Sequence, residues 1–182
     1  MSFTIKELSN ENLDDYVDHS LIEIAQSGVD GDSISTPYSK DEPFEPEAFR
    51  NQTRNRWNID IKQLGWRRCW GIFDRDAIAA HIELCGPQLR SESHRVRMGM
   101  FVTRKFRRQG MGRALLLHAI QWTRDQNHIT WLDLGVFGGN RAAYALYQEM
   151  NFTELGRTPD RFRVDETSID NIKMTLNVTS RP

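Results

Sequence analysis

The chain has 182 residues, with 24 Lys+Arg against 25 Asp+Glu and a formal net charge of −1. So even a balance gives no global attraction to nucleic acid or to an anionic membrane. No stretch has the length of a membrane span, and the opening MSFTIKELSN carries no apolar export core, so one cytoplasmic domain over 1–182 is expected.

In chain order, FTIKEL alternates like a short strand, and Ser9 or Asn10 then offers a helix cap. Leu13, Tyr16, Val17, Leu21 and Ile24 recur at helical spacing and predict one apolar face. From Gly28 to Glu45 the pattern breaks into a long loop in which Asp30, Asp32, Asp41, Glu42 and Glu45 face only Lys40. Pro46 suits the first turn of a second helix, carrying Phe49, Trp57, Ile61 and Leu64. RRCWGIFD and AIAAHIELC read as a hairpin, with Cys69 and Cys85 as buried thiols rather than metal ligands. HRVRMGMFVT is a third strand of this group, with Val96, Met98, Met100 and Val102 on one face. A helix to about Asn127, the strand TWLDLGV, the helix NRAAYALYQEM and the closing strands FTELG and DNIKMTLNV complete the layout. The order β-α-α-β-β-β-α-β-α-β-β predicts a mixed α/β fold with helices covering a sheet.

Two local patterns carry chemistry. In FRRQGMGRALLLHAI, Gly110 and Gly112 stand between a strand and an apolar helix. The first N–H groups of a helix lack intrahelical partners and lie at the positive end of its dipole, so the junction suits a phosphate. An ordinary tight turn before a core helix is the other reading. The spacing matches neither a Walker loop nor a dinucleotide fingerprint. In GGNRAAYALYQEMNF, Asn140 suits a helix cap, and Tyr147 falls two turns later on the same face. The five histidines are too dispersed to suggest a metal site.

MFVTRKFRRQGMG and NRAAYALYQEMNF, in this order, resemble the R-x-x-G-x-G/A and N-x-x-A-x-x-x-Y segments of the GCN5-related N-acetyltransferase (GNAT) superfamily. The resemblance implies an acyl-CoA N-acyltransferase fold, with a mostly antiparallel central sheet, helices on both faces and splayed middle strands. It implies acetyl-CoA as cosubstrate, no metal and an amine acceptor, and it admits a homodimer. Backbone N–H groups of Arg108, Gln109, Gly110, Met111, Gly112 and Arg113 would hold the pyrophosphate, with Arg107 and Arg108 as charge partners. Met100, Phe101 and Val102 would lie along the pantetheine arm, where a backbone N–H would stabilise the oxyanion of the thioester carbonyl. Asn140 would touch that arm, and Tyr147 would serve the thiolate as general acid.

A base must also strip the ammonium form of the acceptor amine. Some N-terminal acetyltransferases of the superfamily place a glutamate five residues before the aligned asparagine, but here that position is Gly135. Asp133 stands two residues earlier. Glu83 is the preferred candidate, since strand alternation puts it on one face with His81; a peripheral ion pair is the alternative. Glu92 and His94 fall in a loop. In such folds the first two helices, their connection and the late strands build the acceptor site, so the acidic loop suggests a cationic acceptor, a plain solvated loop being the alternative. The rival reading is a non-catalytic acyl-CoA-binding or regulatory module of the same fold.

Overall fold

The structure, a computed structural model, describes residues 3–179, and the ends of the expected 1–182 unit lie outside them. Its elements follow the predicted order: β1 (Ile5–Glu7), α1 (Leu13–Gln26), α2 (Pro46–Trp57), β2 (Arg67–Asp74), β3 (Ala77–Cys85), β4 (Arg95–Val102), α3 (Met111–Asp125), β5 (Trp131–Phe137), α4 (Arg141–Glu149), β6 (Thr153–Val164) and β7 (Thr167–Asn177). The strands form one sheet in the order β1-β2-β3-β4-β5-β7-β6, antiparallel among the described residues except where β4 meets β5.

Strand alternation decides which helices cover which face. Val96, Met98, Met100 and Val102 turn toward α3 and α4, joining Leu115, Leu116, Ala119 and Tyr147 in the main core. Phe101 and His81 turn the other way and meet His19 of α1, with ring centroids 5.3 and 5.1 Å away. A second core under α1 and α2 gathers Leu13, Tyr16, Trp57, Cys69 and Ile78. Both cysteines are free and buried, as expected. Among the described residues no helix is long and apolar enough to cross a membrane.

Three expectations need correction. Leu21 is 39 % exposed, and His19 and Ser20 take the inner face of α1 instead. Ring packing of His19 on His81 and Phe101 sets that rotation, and the Ser20 hydroxyl is satisfied by the Tyr16 carbonyl at 2.8 Å. The second helix stops at Trp57, so Ile61 lies in the turn beyond it, although it still packs on the main core. β6 runs on to Val164 rather than ending near Gly156, despite Pro159 and a run of charges. Its order comes from pairing with β7 and from Phe162 stacking on Phe137 at 5.0 Å, neither of which is a local signal. Asn151 ends the α4 segment at φ 65, the left-handed turn that Asn tolerates.

Candidate active site

The sheet opens at its centre. β4 and β5 pair in parallel only from Arg95↔Trp131 to Arg97↔Asp133 among the described residues. Beyond that point β4 stays with β3 as far as Val102↔Ala80, while β5 follows β7 to Phe137↔Asn171. The Thr103 N–H donates to the Ala79 carbonyl at 3.0 Å, which fixes the phase of the β3–β4 ladder. Antiparallel pairing alternates, so the backbone groups of Met100 and Val102 point away from β3 into the gap. Arg107 Nε already donates to the Val102 carbonyl at 3.0 Å.

The glycine junction stands at the mouth of this gap. Arg108 and Gly110 both adopt positive φ, at 60° and 88°, and α3 begins directly afterwards with no side-chain cap. The Ala114 N–H reaches the Gly110 carbonyl at 3.0 Å, but the N–H groups from 108 through 113 have no partner among the described residues. A row of unpaired donors at a helix N-terminus is a cradle for an anion. A Cβ on Gly112 would meet Met100, Val102 and Leu146 at 3.5–3.7 Å, so the cradle lies where β4, α3 and α4 converge. Arg108 is exposed, with no side-chain partner among the described residues. Arg113 pairs with Glu149 at 2.7 Å.

The loop between α1 and α2 roofs the open side. Asp32 binds both Arg104 (2.8 Å) and Arg107 (2.7 Å), and Asp30 binds Arg104 at 2.7 Å. Farther along, the Ser33 hydroxyl donates to the Gly139 carbonyl at 2.9 Å, and the Lys40 N–H donates to Asp165 at 3.0 Å. The acidic loop therefore spends two of its carboxylates on arginines of the chain itself, and Arg107 is turned toward Asp32. Burial works against the Asp32 carboxylate, but hydrogen bonds from Arg104 and Arg107 outweigh it and hold the carboxyl below its usual range. Asp32→Ala should leave Arg107 without its carboxylate and Arg104 held to the loop only by Asp30 and the Val29 carbonyl, and raise amide exchange across 27–45 several-fold; unchanged exchange would show that the clasp does not order the loop.

Tyr147 is 6 % exposed and packs its ring on Phe152 at 5.7 Å. Burial pushes its phenol up to about 12, so it stays protonated, and its hydroxyl makes no hydrogen bond among the described residues. The Asn140 side chain caps α4 by accepting from the Ala143 N–H at 3.1 Å. Glu83 lies on the opposite face of the sheet from Tyr147, next to β4 at Gly99, where an added Cβ would sit 3.3 Å from its carboxylate. The missing side chain at Gly99 lets the carboxylate reach over β4 toward the gap. Glu83 accepts from the Tyr16 hydroxyl at 3.1 Å and faces Arg67 at 3.3 Å.

Other carboxylates sort themselves. Asp133 is gripped by Arg95 at 2.6 and 2.7 Å and by Thr175 at 2.5 Å. At Gly135 a Cβ would lie 2.7 Å from the Asn171 side chain, so Asn171 fills the place of any side chain there. Sequence reasoning passed over Glu23. It is half-buried on the face of α1 that carries Tyr16, and its carboxyl is pushed up to about 8, first by burial and then by Glu83. Its seven-residue spacing from Tyr16 was the available signal.

A hollow of about 710 Å³ lies elsewhere, lined by Ile59, Ile61, Leu64, Trp66, Pro87 and His128. It holds none of the cradle donors, and neither Glu83 nor Tyr147, so the splayed centre is the better candidate site.

Comparisons with known proteins agree with this fold. No curated protein sequence matches significantly. An acetyltransferase of the GNAT family from Streptococcus pneumoniae superposes with TM-score 0.75 at 19% identity, over 97% of this chain and 99% of the other. A Salmonella typhimurium protein assigned as an acetyltransferase, solved with its cofactor acetyl-CoA, gives 0.79 at 13% identity, over 100% and 96%. A ribosomal-protein-alanine N-acetyltransferase from Brucella melitensis gives 0.73 at 18% identity, over 96% and 99%. The model of the Acetyltransferase (GNAT) family matches residues 33–152, most of the chain, and the protein is a member of that family of acetyltransferases.

Proposed function

We propose that the chain is a single-domain N-acetyltransferase that uses acetyl-CoA to acetylate a primary amine of a small molecule or peptide. The observation that carries this reading is the row of N–H groups at 108–113 with no partner among the described residues, beside the edge of β4 that β5 leaves open. The donors suit a pyrophosphate, and Arg108 adds an exposed positive charge. The backbone groups of Met100 and Val102 suit an extended amide-bearing arm, which they would pair as a strand pairs its neighbour. When bound, acetyl-CoA supplies an activated thioester, so no nucleophile of the chain need be acylated. Gln109, Gly110, Met111, Gly112 and Arg113 would orient the phosphates, and Phe101 would back the arm. Asn140 would present its free amide N–H to that arm, and the Tyr147 phenol would donate to the sulfur as it leaves. A carboxylate on the α1 side would take the ammonium proton, and Glu83 over Gly99 is positioned near enough to take part. These carboxylates favour a cationic acceptor, as do Asp41, Glu42 and Glu45 of the acidic loop, whereas Asp30 and Asp32 are already paired with Arg104 and Arg107.

Thermal unfolding with acetyl-CoA, coenzyme A, ATP and NADH tests the cofactor. A ligand bound only by the native state at 100 times its Kd adds about 2.7 kcal/mol. Both coenzyme A forms should raise Tm and the other two should not. Stabilisation by ATP alone would overturn the reading.

A further inference from the structure

We propose that Glu23 on α1 is the group that takes the proton from the acceptor ammonium, while Glu83 positions charge beside it. This rests on the acetyltransferase reading and names the base within it. Three contacts locate Glu23. Tyr16 of α1 meets Glu83, His19 meets His81 and Phe101, and Gln26 accepts from the Arg104 N–H at 2.9 Å. The helix thus descends past β3 and β4, and Glu23 stands between the levels of Phe101 and Arg104. Helical side chains lean toward the N-terminus, which tips its carboxyl back over Phe101 toward Glu83. That is the segment of β4 whose neighbouring backbone groups open into the gap.

The surroundings are unusual for a sealed core. His19 is 1 % exposed, yet among the described residues its ring finds no more than a loose backbone approach at Ile78, and His81, 4 % exposed, has an Nδ1 without a hydrogen bond. Unpaired buried polar atoms call for an explanation. Here they lie on the α1 side of the sheet, packed with Tyr16 and Phe101, the face on which Glu23 and Glu83 stand. The titratable groups that act on Glu23, or on which it acts, are Glu83 on β3 and Tyr16 on α1; His19, His81, Arg67 and Cys69 belong to the same cluster through Glu83, Tyr16 and one another.

Glu83 is already occupied by Tyr16 and Arg67, whereas the Glu23 carboxyl makes no hydrogen bond or ion pair among the described residues. The free carboxylate is the one able to accept a proton. The balance is simple. The ammonium gives one proton to the Glu23 carboxylate, and its nitrogen lone pair forms the C–N bond as the C–S bond breaks. The sulfur receives a proton through Tyr147, which is refilled by the second nitrogen proton. Glu23 then returns its own proton to water. A carboxyl pushed up to about 8 is matched to this task near neutral pH.

Two measurements separate the claims. Stabilisation by acetyl-CoA is measured first, and its failure would strike the acetyltransferase reading without touching the carboxyl chemistry. Carbon-detected NMR titration of glutamate-labelled protein should then show one carboxyl titrating near pH 8, absent in Glu23→Gln and shifted to lower pH in Glu83→Gln. Over a panel of amines, Glu23→Gln should lose at least tenfold in turnover and lose the limb that rises toward pH 8, with stabilisation by acetyl-CoA retained. Glu23→Asp should recover part of the rate. Wild-type turnover and pH profile in Glu23→Gln would overturn the proposal, as would a titration near pH 8 that persists in it.

Discussion

Tyr147→Phe is expected to lower acetyl transfer by about 10²-fold, the lower end of what a positioned proton donor contributes. The substitution is a clean one for physical reasons. The hydroxyl has no hydrogen-bond partner among the described residues, so its removal strands no donor or acceptor inside the protein. The ring stays, and with it the packing on Phe152 at 5.7 Å. Stability should therefore change by no more than about 0.5 kcal/mol. Stabilisation by coenzyme A should also be nearly preserved, because the cradle is built from backbone at 108–113 rather than from this phenol. A phenol held near 12 is protonated at every working pH, so it can donate without any titration of its own in the neutral range. The effect should accordingly be a uniform drop in kcat across pH, read by thiol release. An unchanged kcat would remove Tyr147 from the chemistry and leave the proton to the sulfur to another donor.

The fold was legible because its signals are local. Alternation in β3 and β4, the Pro46 start of α2 and the Asn140 cap of α4 all depend on neighbours in sequence. So does the cradle, in which Gly110 supplies a backbone that most residues avoid. What escaped depends on contacts distant in sequence. Nothing near Asp32 announces Arg104 and Arg107, seventy residues and more away, as its partners. Glu23 drew no notice in the sequence, because packing turns Leu21 outward and His19 inward and so sets which face of the helix it shares. Strand parity put Glu83 forward as a candidate, but its reach over β4 depends on Gly99 in the adjacent strand. Side-chain direction can be read from a strand, whereas the partner it meets cannot.

Acid should unfold the protein through two histidines. His19 and His81 pack edge to face at 5.1 Å, and both are held neutral down to about pH 3. Burial is the main cause for each; His81 adds to it for His19, and Arg67 adds to it for His81. In the unfolded chain a histidine protonates near 6.5. The folded values lie below the unfolded one, so the stabilisation is complete above about pH 6.5 and is lost as pH falls toward 3. Each group alone gives a slope of about 1.4 kcal/mol per pH unit within that window. Glu23 acts with the opposite sign. Its folded value near 8 lies above the unfolded one near 4.5, so its contribution is present at low pH and is lost as pH rises through 8. Between about pH 4.5 and 6.5 the three groups leave a net loss of roughly 1.4 kcal/mol per unit of acidification. Glu23→Gln should double that slope, and His19→Leu, which removes one histidine while keeping an apolar filler, should nearly flatten it. Denaturant unfolding at a series of pH values reads all three slopes directly. A wild-type stability that stays level from pH 6.5 to 4.5, or a Glu23→Gln protein with the wild-type slope, would mean that these buried groups are not held in the charge states the packing imposes.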